Sequence, residues 1–143
     1  MINDQEPIFK QAPMTEASSQ QQPKSAGARK QYDLEDRTFE FARDVRAFLP
    51  RIPRTRANLR DGDQLIDSSG SAGANYIEAN NGLSKKDFVY RIKVCRKEAK
   101  ESYYWLRLLN TGKIASVENE RNALVQEAME LVKIFNSIVT KCS

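Results

Sequence analysis

Between Lys85 and Arg107 the chain carries eight basic side chains against three carboxylates, Asp87, Glu98 and Glu101. Laid out at about 100° per residue, Lys86, Lys93, Lys97, Lys100, Tyr104 and Arg107 fall within one narrow sector of a helix. Lys85, Arg91 and Arg96 flank that sector. A row of cations along one helix can follow a phosphate backbone, and a tyrosine set among them can stack on a base. These six residues are the candidate nucleic-acid-binding set. The competing reading is a solvated helix face, partly neutralised by the three carboxylates and by an acidic second helix. Arg51, Arg54, Arg56 and Arg60 form another basic cluster. No aromatic residue is interleaved there, so helix-end charge and solubility account for it better than phosphate contact.

Catalytic chemistry finds little to work with. The chain contains no histidine, which removes the commonest general base at neutral pH and His-based zinc sites. Glu78 and Cys95 are the two residues worth naming. Glu78 lies between apolar neighbours with no second carboxylate or histidine at hand, so pairing with an arginine across a bundle is the expected role. Cys95 falls in an apolar stripe and reads as a small buried hydrophobe. The glycines around Ser68–Ala74 match neither a phosphate-binding loop nor a dinucleotide fingerprint. No catalytic residue, metal site or cofactor is expected, and the chain reads as a non-enzyme.

Four elements must position these residues. In the first, Leu34, Thr38, Phe41, Val45, Phe48 and Ile52 recur at alternating four- and three-residue spacing, with Phe39, Ala42 and Leu49 widening the stripe. Asp33 is its candidate N-cap, and Pro50 and Pro53 end it near Leu49. The second is predicted from about Ala57 to Asn80. Its apolar face is drawn by Leu59, Ile66, Ser69, Gly73 and Ile77, with Leu65, Ala72, Tyr76 and Ala79 beside it. Gly70 and Gly73 cost about 1 kcal/mol each in a helix interior. A helix that carries them uses its thin surface to let another helix approach, from the same chain or another subunit. The rivals are a flexible Gly/Ser loop and, more weakly, a phosphate cradle. Asn80, Asn81 and Gly82 end this helix.

Ser84 followed by Asp87 marks the start of the third helix. It runs to Leu109 or Asn110, with Gly112 as its stop. Phe88, Ile92, Cys95, Ala99, Ser102, Leu106 and Leu109 form its core stripe. Tyr103, Tyr104, Trp105 and Leu106 set large groups on several sides at once, a surplus that points to an oligomer interface, with Tyr103 and Trp105 as its candidates. Ser116 is the expected cap of the last helix, whose stripe is Val117, Leu124, Ala128, Leu131, Phe135 and Ile138, broadened by Val125, Val132 and Val139, ending near Thr140. Four amphipathic helices with short connections predict an all-α, antiparallel up-down-up-down four-helix bundle.

Residues 1–31 are rich in Gln, Ser, Pro and Ala without apolar period, and read as a disordered tail; residues 32–143 form the bundle domain. Ile8, Phe9 and Met14 are a weak candidate for a docking motif in that tail. The net charge of +4 permits an anionic partner without demanding one. No apolar run approaches a membrane span, no signal-peptide core is evident, and two cysteines make no disulfide framework. A cytoplasmic location without membrane contact is expected.

These blocks resemble the four-helix bundle proteins encoded in intervening sequences of bacterial 23S ribosomal RNA genes. The resemblance lies in Asp33–Ala42 (DLEDRTFEFA), Gln64–Asn80 (QLIDSSGSAGANYIEAN), Leu83–Phe88 (LSKKDF), Arg91–Ser102 (RIKVCRKEAKES) and Tyr104–Leu106 (YWL), and covers about Tyr32 to Val139. It implies an antiparallel bundle that assembles as a homopentamer around a tapered channel. A related branch is the accessory protein of diversity-generating retroelements, a basic pentamer that binds reverse transcriptase and nucleic acid. The resemblance therefore implies a non-enzymatic adaptor whose partner is RNA or a nucleic-acid enzyme such as a reverse transcriptase. The alternative is a protein–protein assembly scaffold without nucleic-acid binding.

Overall fold

The computed structural model describes residues 26–142, with side chains over residues 34–142. The chain divides into two units, Met1–Asp33 and Leu34–Ser143. The first is described only over the opening turns of its helix; the rest of the expected tail, with Ile8, Phe9 and Met14, lies outside the described residues. The second is built from helices alone: the end of α1 (Ala26–Phe48), a short 3-10 turn (Leu49–Arg51), α2 (Arg56–Asn80), α3 (Lys85–Leu108) and α4 (Ala115–Cys142).

Helix α1 begins upstream of the predicted start, so Asp33 lies inside it and not at its cap. Its stripe of Leu34, Thr38, Phe41, Val45, Phe48 and Ile52 is buried throughout. Phe39, expected to widen that stripe, is exposed instead. The stripe is narrow because a four-then-three spacing fills only one side of a helix, and position 39 falls outside it. Pro50 sits in the 3-10 turn that ends the helix. Thr55 then caps α2, its hydroxyl accepting from the Asn58 amide at 3.0 Å.

Helix α2 runs unbroken through Ser68–Ala74, so neither the Gly/Ser loop nor the phosphate cradle forms. Its buried face is Asn58, Gly62, Leu65, Ser68, Ser69, Ala72, Tyr76 and Ala79. Leu59 and Ile77, expected on the apolar face, are exposed. The glycines admit α1 of the same chain. A Cβ on Gly73 would lie 3.0 Å from Thr38 Oγ1 and 3.2 Å from Thr38 Cβ. On Gly70 it would meet Arg46 Nη2 at 3.3 Å, and on Gly62 the Leu49 side chain at 3.4 Å.

Helix α3 starts as predicted, with Ser84 Oγ accepting from the Asp87 amide at 3.1 Å. Its stripe Ile92, Cys95, Ala99, Ser102, Leu106 and Leu109 is buried, with Phe88 packed partly against the core. Gly112 and Lys113 take left-handed backbone conformations (φ 73° and 62°) in the turn that follows. Helix α4 opens at Ala115, so Ser116 lies inside the helix; the first amide bonded back is Glu118 N to Ile114 O, at 2.8 Å. Val139, expected to broaden the stripe, is buried outright, and Ile138 packs half-buried against the core.

Cross-helix contacts give the topology. Thr38, Arg46 and Leu49 of α1 and its 3-10 turn approach Gly73, Gly70 and Gly62 in that order. Asn58, Ser68 and Asn75 of α2 bond to Asn110, Ser102 and Arg91. Arg96 of α3 bonds to Asn136, while the carbonyls of Leu106 and Leu109 accept from Arg121. Arg37 grips Glu127 through two nitrogens, and Arg51 pairs with Glu120. In each pairing one number rises as the other falls. Neighbouring helices are therefore antiparallel, and each touches two others, as in an up-down-up-down bundle.

Candidate nucleic-acid interface

Helix α3 is held between α2 and α4, and this fixes which of its sides meets water. Its core stripe points inward against Leu65, Leu131 and Phe135, all fully buried. The opposite side is the basic one. Lys86, Lys93, Lys97, Lys100, Tyr104 and Arg107 are all exposed there. Four of them, Lys93, Lys97, Lys100 and Tyr104, line one open groove of about 370 Å³ together with Arg96, Glu101 and Trp105. Lys86 and Arg107 lie on the same side beyond its two ends.

The charges are not equivalent. Lys97 Nζ lies 3.2 Å from Glu101 and 3.6 Å from Glu98. The bond to Glu101, and then the charge of Glu98, raise its pKa and hold it cationic while cancelling much of its field. Lys86, Lys93 and Lys100 join no ion pair among the described residues. They recur every seven residues, about 10 Å apart along the helix. Arg107 leans toward the half-buried side, its guanidinium carbon 5.0 Å from the centre of the Tyr103 ring.

Sequence reading passed over one residue on this side. Tyr90 is 63% exposed. With it the outer stripe becomes Lys86, Tyr90, Lys93, Lys97, Lys100, Tyr104 and Arg107, spaced four, three, four, three, four, three. The buried stripe from Phe88 to Leu109 has the same stride, so the gap at position 90 was visible once the outer side was counted in heptads.

A family model described as 23S rRNA-intervening sequence protein matches residues 30–137. The chain belongs to that family. Among solved structures it is similar to a protein of unknown function from the S23 ribosomal protein family of Bacteroides thetaiotaomicron VPI-5482. The TM-score is 0.61 and the identity 26%, over 73% of this chain and 96% of that one. No curated protein matches it.

In this member of the 23S rRNA-intervening sequence protein family, the positive charge of the bundle is concentrated in one helix. Helix α3 has eight basic and three acidic residues, α2 two basic and four acidic, α4 three basic and four acidic. The aromatic surplus is resolved unevenly. Leu106 is fully buried, Tyr103 and Trp105 pack half-buried against the core, and Tyr104 stands out at 53% exposed. Tyr104 meets the Trp105 ring edge-on, with centroids 5.0 Å apart. The Trp105 indole N–H is enclosed without an acceptor among the described residues.

The remaining candidates are placed as follows. Arg51 is tied to Glu120, whereas Arg54, Arg56 and Arg60 are exposed around the first connection. Glu78 is exposed and joins no ion pair among the described residues, so the expected cross-bundle pairing with an arginine does not form. The Cys95 thiol is buried in the core, and burial pushes its pKa up to about 12. No described helix is long and apolar enough to cross a membrane.

Proposed function

We propose that this family member is a non-enzymatic homo-oligomeric adaptor that binds RNA, free or held by a nucleic-acid enzyme, through the outer side of α3. The pentamer implied by the family resemblance is the assembly we assign to it. One observation carries the reading: α3 carries eight basic residues against three acidic, five of the basic ones on its exposed outer side, while α2 and α4 are acidic in balance. A bundle needing only solubility has no reason to sort its charges by helix, since mixed signs on every face serve that end. Sorted charge creates a field that draws in a polyanion.

The test is binding of an RNA containing both stems and loops, measured across a salt series, for the native chain and for the variant Lys93→Glu/Lys97→Glu/Lys100→Glu. The native chain is expected to bind with affinity that falls as salt rises. Each phosphate contact contributes roughly 0.7 to the slope of log K against log salt on a single strand and about 0.9 on a duplex. The variant is expected to lose most of the affinity and to flatten that slope by about two. Unchanged affinity in the variant would remove α3 from the interface. Light scattering on the same samples is expected to give a mass five times that of the chain. A pentamer that binds no RNA at low salt would favour the assembly-scaffold reading, which the exposed Phe39 and Ile77 on α1 and α2 also suit.

A further inference from the structure

We propose that α3 receives a single strand and not a duplex, with Tyr90 and Tyr104 as stacking platforms on either side of Lys93, Lys97 and Lys100. This rests on the reading that α3 binds nucleic acid and specifies which form. Two observations carry it. First, the exposed members of the outer stripe are not all cations. Tyr90 and Tyr104 stand in line with them, 63% and 53% exposed, fourteen residues or about 21 Å apart. Lys93, Lys97 and Lys100 lie between them. A duplex keeps its base faces stacked inside and offers these rings only backbone and edges, whereas a single strand offers a face for each ring.

Second, α3 cannot enter a major groove. It is flanked by α2 on one side and α4 on the other, bonded through Ser68–Ser102 and Arg96–Asn136. A helix that reads a B-form major groove must project from its domain, because the groove is only about 12 Å wide, close to the diameter of one helix. The A-form major groove of RNA is narrower still. What α3 presents is the crest of a broad wall. A flexible strand can lie along such a crest, its phosphates on Lys93 and Lys100 and its bases folded down at each end.

Tyr104 is the better-prepared platform. Its edge-on contact with Trp105 fixes the ring, and both line the groove with Lys93, Lys97 and Lys100. Trp105 is the only tryptophan of the chain, so its emission reports on a base arriving beside it.

The experiment uses the full chain at low salt with an unstructured RNA of about twelve nucleotides, within the range such sites occupy, and with the same RNA annealed to its complement. The single strand is expected to bind at least about tenfold more tightly than the duplex and to quench Trp105 to saturation. Tyr90→Leu and Tyr104→Leu, which keep bulk and helix preference at exposed positions, are each expected to weaken single-strand binding about tenfold and leave duplex binding unchanged. Equal affinity for the two forms, normal binding by both variants, or unchanged Trp105 emission at saturation would overturn the single-strand assignment while leaving RNA binding intact. Binding of neither form would overturn both readings.

Discussion

The seam between α1 and α2 and the crest of α3 use the same helix geometry to opposite ends. Along the seam the side chains shrink. Gly62, Gly70 and Gly73 let Leu49, Arg46 and Thr38 come within 3.0–3.4 Å of where a Cβ would stand. Along the crest they lengthen and carry charge or a ring, and they remain in water. The seam contributes dispersion and burial, which act on folding. The crest contributes little to folding, since exposed charges are screened and exposed pairs are worth at most about 1 kcal/mol. Folding and the proposed recognition thus rest on different helix surfaces and can be perturbed separately.

The largest expected effect is at the seam. Gly73→Leu forces a branched side chain against Thr38 and should destabilise by about 2–4 kcal/mol, lowering the melting temperature by on the order of 10 °C. Gly73→Ala should cost less than that, because the gain of about 1 kcal/mol in helix preference offsets part of the crowding. Thermal melts of the two variants check the ranking; an unaffected Leu variant would mean the seam is loose.

Next comes the polar contact inside the α2–α3 pair. Ser68 Oγ and Ser102 Oγ are buried 2.8 Å apart. Ser102→Ala leaves Ser68 with only its long contact to the Leu65 carbonyl at 3.4 Å, and should cost about 1–2 kcal/mol. The double change Ser68→Ala/Ser102→Ala is expected to cost less than the two single changes added together, a coupling that a double-mutant cycle in denaturant reads directly.

Alkaline pH gives a gradual effect. Burial raises the Cys95 thiol to about 12, above the ordinary value near 8.5–9 that it has in the unfolded chain. Between those values the unfolded chain has released a proton that the folded chain keeps. Stability from the neutral thiol is therefore full below about pH 9 and is lost as pH rises toward 12. Burial raises Tyr76 as well, adding a loss of the same sign above its ordinary value of 10.0. Urea midpoints measured from pH 8 upward should fall less steeply for Cys95→Ala than for the native chain; parallel curves would assign the loss to other groups.

The smallest effect on folding belongs to the crest. Lys93→Glu/Lys97→Glu/Lys100→Glu, expected to abolish most RNA affinity, should shift stability by only about 0.5 kcal/mol. A large loss in the melt would mean the crest helps hold the bundle, and the separation drawn here would fail.

Most of this architecture was legible in the sequence. The buried stripes of α1, α3 and α4 are drawn by bulky residues at regular spacing, and the start of α3 is written in Ser84 and Asp87. Helix α2 was the exception. Its inner surface is made of Gly, Ser and Ala, which carry little hydrophobic signal, so Leu59 and Ile77 misdirected the reading by about one residue around the helix. The six outer residues of α3 were found by sector alone, because a helix bound on one side must expose the other. Tyr90 was missed because an aromatic ring reads as core unless its angular position is checked.

By itself the sequence determined which segments are helical, which side of α3 is basic, and that the chain lacks the groups for histidine chemistry. Those are local properties, set by residue type and the 3.6-residue turn. Only the tertiary structure decided which helix fills the glycine seam, that Asn58 is buried and bonds to the backbone of Asn110 52 positions away, and that Glu127 closes on Arg37 and not on a cation of α3. Each of those depends on which surfaces come within a few ångströms when four helices share one core. No periodicity in a single helix carries that information, because it belongs to the fit between two surfaces.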